Sequence, residues 1–169
     1  MNLIETPRLQ FRQLEPADAP FIFELVNDPD WLRYIGDRNV HSDADAVRYI
    51  RNGPMASYAR HGFGLWRVAL RDGDIPIGIC GLLKRDTLPH PDIGFAYLPD
   101  HRGRGYGVEA AEATLRYGRT RFGLRTILAI TSPDNDRSMA LLRKAGMRFE
   151  GTVRLSPDQR ESRLFSIMR

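Results

Sequence analysis

A single mixed α/β domain is the fold class that the 169 residues predict, and three features point to it. Two alternating apolar runs, FGLWRVAL and IPIGICGLL, flank RDGD, and Asp-Gly in that place supplies the backbone angles of a hairpin turn. Residues 108–122 and 134–147 carry apolar side chains at helical spacing, so strands and helices are interleaved. No repeat, low-complexity tract or linker divides residues 1–169, which are expected to form one domain.

The elements follow in order. Arg8 to Leu14 alternates and predicts the first strand, and Glu15-Pro-Ala-Asp18 opens a helix over PFIFELVND that stops near Asn27 and Pro29. Trp31 to Arg38 is expected as an aromatic, charged loop. SDADAVRYIRNGP has a capping serine and an acidic first turn, predicting a second helix that runs as far as Arg60. After the hairpin, DIGFAYL is a third successive strand and leads through Pro99-Asp100 into a glycine-rich loop. A helix over Val108 to Phe122, the strand RTILAIT, a capped helix ending at Gly146, and the strands RFEGTV and ESRLFSIM complete the chain.

Composition narrows the function. Apolar residues make up 42% and charged residues 27%, as in an ordinary folded domain. The opening MNLIETPRLQ has no signal-peptide core and no later run has the length of a membrane span, which predicts a cytoplasmic protein with no membrane role. Cys80 is the single cysteine, and His41, His61, His90 and His101 lack ligand spacing, so no metal site is expected. A net charge of +4 suits an anionic cofactor as well as a solvated surface. Nucleic-acid binding ranks last, because no aromatic-basic or helix-turn-helix motif accompanies that charge.

HRGRGYGVEA, residues 101–110, carries the chemistry. It is not a Walker loop, since Val108-Glu109 stand where Lys-Ser/Thr belongs, and Val108 also disfavours a dinucleotide fingerprint starting at Gly103. What remains is Arg102-x-x-Gly105-x-Gly107 at a strand-to-helix junction. Glycines allow close approach, amide hydrogens converge and the helix dipole is positive, all of which suit a pyrophosphate; a plain glycine-rich turn is the competing reading.

Across TPRLQFRQLEPAD, DIGFAYLPDHRGRGYGVEA and DNDRSMALLRKAGM the chain resembles the GCN5-related N-acetyltransferases (GNAT), and within them the branch of RimJ/RimL-type ribosomal-protein N-acetyltransferases. The resemblance implies a central mixed, mostly antiparallel sheet with two splayed parallel strands, flanked by about four helices. It implies acetyl-CoA as co-substrate in the cleft between Asp92–Leu98 and Arg125–Ile130. Its pyrophosphate would rest on Arg102, Gly103, Arg104, Gly105, Tyr106 and Gly107, and its pantetheine arm would pair with backbone of Phe95, Ala96, Tyr97 and Leu98. A bulge in that strand would aim an amide at the thioester oxygen.

The implied activity is direct transfer of acetyl to a primary amine, on a protein N-terminus or a small molecule. Asp92 is the implied base, the competing reading being an exposed turn residue. Many relatives use a tyrosine to protonate the leaving sulfur, but Leu142 stands there, so Ser138 takes that role by resemblance, with Asn135 binding cofactor; the alternative is that both merely cap the late helix. Cys80 has no required role, Glu109 suits a structural one, and Glu150 is a weaker candidate base. Trp31 and Tyr34 are implied to pack the acceptor, with Asp30 and Asp37 attracting its amine; the competing reading is that the aromatics are core and the acids solvated. An acyl-CoA-binding sensor without efficient catalysis is the alternative function, and a homodimer is the oligomer that relatives suggest.

Overall fold

A computed structural model describes residues 1–168. Eight strands form one sheet in the order β1-β2-β3-β4-β5-β6-β8-β7. They are β1 (Ile4–Glu5), β2 (Leu9–Gln13), β3 (Leu65–Leu70), β4 (Ile75–Leu83), β5 (Asp92–Tyr97), β6 (Thr126–Thr131), β7 (Arg148–Val153) and β8 (Ser162–Met168). Every neighbouring pair is antiparallel except β5 and β6. The sheet is therefore mixed and mostly antiparallel, as the resemblance implied. Only β1 escaped the sequence, since two residues leave no alternation to read.

The helices are α1 (Ala19–Val26), α2 (Pro29–Tyr34), α3 (Asp43–Ile50), α4 (Ala56–His61), α5 (Tyr106–Phe122) and α6 (Asp136–Lys144). Ser42 caps α3, its side chain accepting from the Asp45 amide, and a π-type turn over Arg51–Met55 carries α3 into α4. The second expected helix thus continues past Pro54, to His61, because the wider turn accommodates the proline. Counting α3 to α4 as one body gives five helical bodies among the described residues. The extra one is α2, where a loop was expected over Trp31 to Arg38.

The physical reason lies in Asp28-Pro29. Proline reads as a stop for α1, yet it also suits the first position of a new helix, where its missing N–H costs nothing. The Asp28 carboxylate accepts from the Asp30 amide at 3.2 Å and caps that helix.

Alternating side chains along the strands feed two cores. Val68, Ile77, Cys80, Ile93 and Tyr97 pack beneath α5 and α6, while Leu14, Ile22, Leu25, Trp31, Ile50 and Ile79 pack beneath α1 to α3. The sheet is accordingly covered on both faces. Close strand contact depends on Gly81 of β4, where a Cβ would lie 1.9 Å from the Gly64 carbonyl oxygen. Among the described residues no helix is long and apolar enough to cross a membrane.

Candidate active site

The site begins where the sheet comes apart. Strands β5 and β6 pair only at Asp92↔Leu128 and Ile93↔Ala129, then diverge, while β5 stays on β4 as far as Tyr97. A wedge opens between the unpaired halves. It widens into a cleft of about 540 Å³ lined by β5, β6, α2 and α6.

Backbone direction along β5 follows from one hydrogen bond. The Leu98 amide donates to the Ile77 carbonyl at 2.8 Å, so alternation turns Ala96 and Leu98 toward β4 and turns the N–H groups of Phe95 and Tyr97 toward the wedge. Of the four residues implied for pantetheine pairing, two present main chain to the opening. The implied bulge is absent: the β4–β5 register runs unbroken from Leu83↔Asp92 to Gly78↔Tyr97. Any amide aimed at a thioester must come from a regular strand edge left bare by divergence.

Beyond β5, residues 102–107 wrap onto the tip of α5. Gly103 and Gly105 have φ of 75° and 82°, left-handed angles that glycine adopts without strain, and residues 103–105 are exposed. The amides of Tyr106, Gly107 and Val108 open the 17-residue helix and have no acceptor one turn back. Such a concave row of N–H groups at a helix tip fits a diphosphate. Gly107 has a packing role as well, since a Cβ there would lie 2.5 Å from Leu141.

The loop is held from beneath by Arg8, which sequence reasoning missed. Its Nη1 donates to the Arg104 carbonyl at 2.9 Å, its Nε to Glu109 at 2.7 Å, and its guanidinium lies 4.4 Å from the Tyr106 ring centroid. Glu109 also accepts from Thr6 Oγ1 at 2.6 Å and the Arg8 amide at 3.0 Å. Burial opposes ionisation of Glu109, but those donors outweigh it and lower its pKa. Its role is structural, as its place in the first helical turn suggested.

Arg102 departs from expectation. Its side chain turns away from the loop: Nε and Nη2 donate to the Tyr97 carbonyl at 3.0 and 2.7 Å, Nη2 to Asp28 at 2.8 Å and Nη1 to Asp30 at 2.7 Å. The guanidinium implied for phosphate is bound into the base of α2. Asp30, implied to attract the amine, is neutralised by it. Asp37 instead accepts from the Asn39 amide at 2.7 Å, closing a local turn. Trp31 and Tyr34 do line the cleft, Trp31 being also a buried member of the α1–α3 core.

Asp92 stands at the closed end of the wedge with 1% of its surface exposed, which removes the reading as an exposed turn residue. Arg85 Nε donates to both carboxylate oxygens, at 3.1 and 3.2 Å. Burial raises the Asp92 carboxyl pKa to about 6, although Arg85 pulls in the opposite direction. A carboxylate with that pKa can take a proton near neutral pH. Glu150 is bonded to Ser166 at 2.7 Å on the β7–β8 hairpin and does not line the cleft.

Asn135 and Ser138 line the opposite wall, on α6. Asn135 caps that helix, its side-chain oxygen accepting from the Ser138 amide at 3.2 Å, so the capping role weighed for Asn135 is present. The Ser138 hydroxyl is not needed for that bond, and the side chain is half-buried. Leu142, one turn on, is buried. Cys80 lies wholly in the core, 3.3 Å from Thr114 Oγ1, and burial pushes its thiol up to about 11, which suits packing rather than nucleophilic attack.

A wedge between two splayed parallel strands, with bare main chain on one edge and a glycine-rich helix tip beside it, is the arrangement that the resemblance implied for an acyltransferase. The chain belongs to the acetyltransferase (GNAT) family, whose domain model matches residues 8–148. It is 31% identical over 148 residues to the uncharacterized N-acetyltransferase YnaD of Bacillus subtilis strain 168, covering 88% of this chain and 84% of that one. Among solved structures it is similar to a GNAT-family acetyltransferase from Bacillus anthracis, with 27% identity, a TM-score of 0.81 and coverage of 99% and 98%. The fold is shared with the ribosomal L7/L12 acetyltransferase RimL in complex with coenzyme A, at 14% identity, a TM-score of 0.77 and coverage of 99% and 98%. The protein is thus an acyltransferase performing acetyl-CoA-dependent N-acetylation.

Proposed function

We propose that the chain acetylates a primary amine, on a small molecule or a protein N-terminus, by direct attack within the β5–β6 wedge. The observation that carries this reading is the placing of a buried carboxylate with a near-neutral pKa, Asp92, at the closed end of the β5–β6 cleft, with the unpaired amides of the α5 tip packed beside Tyr97 and Leu141, which line it. Acetyl-CoA supplies the activated acetyl group. The amides of residues 103–107 hold its diphosphate, with the exposed Arg104 adding charge, and the Phe95 and Tyr97 N–H groups hold its pantetheine arm.

Side chains of even-numbered β5 residues face the α1–α3 layer, because Ala96 and Leu98 pack there. Asp92 shares that parity and lines the cleft on the side of Trp31 and Tyr34. It removes the proton from the incoming ammonium, directly or through water, and passes it out past Arg85. From the other wall the Ser138 hydroxyl donates toward the leaving sulfur, a role that Leu142 cannot fill. Asn135, one turn before it, positions the cofactor while capping α6.

The test is an amine panel with purified protein and acetyl-CoA: amino acids, polyamines, aminoglycosides and peptides with free N-termini, read by thiol release and mass spectrometry. Acetylated product from at least one class is expected, and loss of that product in Asp92→Asn. No turnover across the panel, with acetyl-CoA bound, would favour a sensor that binds the cofactor without transferring acetyl.

A further inference from the structure

We infer that Arg102 is a positioning residue for the acceptor wall and not a phosphate ligand: it straps α2 to the end of β5. The inference rests on the acetyltransferase reading for what the wall does, but its geometry stands alone. Four hydrogen bonds fix the guanidinium, two on the Tyr97 carbonyl and one each on Asp28 and Asp30. Turning the side chain toward the loop would leave the Asp28 carboxylate, only 8% exposed, without its counter-charge, and would leave the Tyr97 carbonyl unpaired. Buried charges are held where their partners are, so the guanidinium stays.

The three anchors have distinct meanings. Tyr97 is the last residue of the strand edge that faces the wedge, so Arg102 fixes where that edge ends. Asp28 caps α2 and Asp30 lies in its first turn, so the same group fixes where the acceptor wall begins. With only six residues α2 has little stability of its own, and isolated helices of that length do not persist in water. Its placing rests on the burial of Trp31 in the α1–α3 core and, at its first turn, on the strap. The arginine of the Arg-x-x-Gly-x-Gly motif therefore links the two half-sites: its main chain leads into the anion loop while its side chain sets the acceptor side.

The test compares Arg102→Gln with Arg104→Gln in the full-length protein. Coenzyme A is the probe in calorimetric titrations, and amide hydrogen exchange is followed over residues 31–36. For Arg102→Gln, exchange in α2 speeds up at least about tenfold and coenzyme A affinity stays within about threefold of wild type, whereas Arg104→Gln weakens coenzyme A and leaves α2 unchanged. With whichever of spermidine or a free peptide N-terminus the wild type acetylates, Arg102→Gln raises acceptor KM more than it lowers kcat, and Arg102→Lys restores part of the loss. A tenfold loss of coenzyme A affinity in Arg102→Gln, or unaltered exchange in α2, overturns the assignment. Should Arg102→Gln fail to fold, Asp30→Asn replaces it with the same expectations and the same overturning results. Wild-type protein that does not bind coenzyme A would refute the acetyltransferase reading instead, and the exchange result would still decide the strap.

Discussion

The anion loop and the acceptor wall meet at one residue, yet they are built in opposite ways. Residues 103–107 offer main chain: exposed glycines at positive φ and helix amides with no partner. Residues 28–34 offer side chains already bonded to partners from other elements, with Asp28 and Asp30 on Arg102 and Arg33 3.5 Å from Asp134. On the proposed reading, a loop of bare backbone binds what every acetyl-CoA-dependent relative must bind. A wall of paired side chains can change its occupant with a few substitutions, so on the proposed reading acceptor choice resides there.

If chemistry lies on neither region but at the closed end of the wedge between them, the largest effect belongs to Asp92→Asn. We expect kcat to fall by about 10²–10⁴-fold, with coenzyme A affinity unaltered in titrations. Because burial raises this carboxyl to about 6 and the ionised form is the base, wild-type kcat/KM should rise with pH to a plateau above that value. A flat profile from pH 5 to 8 would remove Asp92 from the reaction. The sign for stability is the reverse: the folded state favours the protonated form, so this group's contribution is full at low pH and is lost as pH rises toward about 6.

Next in size is Gly105→Val, which forces a β-branched residue to φ of 82° and places its Cβ 3.3 Å from Arg8 Nη2. Coenzyme A affinity should drop about tenfold or more, a loss of about 1.4 kcal/mol at least, while α2 keeps its hydrogen exchange. Unchanged binding would move the diphosphate off the loop. Ser138→Ala should be smaller, lowering kcat by about tenfold without touching acetyl-CoA affinity, as steady-state and binding measurements can separate. Smallest of all, Cys80→Ala should leave kcat within about twofold and cost about 1–2 kcal/mol of stability in denaturant unfolding, since it vacates core volume and removes the contact with Thr114 Oγ1.

The contrast between loop and wall also explains what the sequence disclosed. Main-chain sites need glycines at fixed spacing, so Gly103, Gly105 and Gly107 stood out against the helix that follows. The hairpin was legible in its Asp-Gly, although the positive φ angles fall one residue later than that pair, on Gly73 and Asp74. Side-chain sites depend on distant partners: nothing near Arg8 announces Glu109, 101 residues away, and nothing near Arg102 announces Asp28. The capping aspartate of α2 did leave a signal, Asp-Pro ahead of an aromatic, but the same proline served equally well as the end of α1. The burial of Asp92 was hidden because His90-Pro91 before it reads as a turn, whereas the rung with Leu128 makes it the first residue of an interior strand.

A structure of the protein with acetyl-CoA bears most directly on the division between a backbone-built donor site and a side-chain-built acceptor site. The diphosphate should lie on the amides of residues 103–107, the pantetheine arm should take the N–H groups of Phe95 and Tyr97, and the Arg102 guanidinium should still hold Asp28. Cofactor bound outside the β5–β6 wedge, or Arg102 swung from Asp28 onto phosphate, would contradict it.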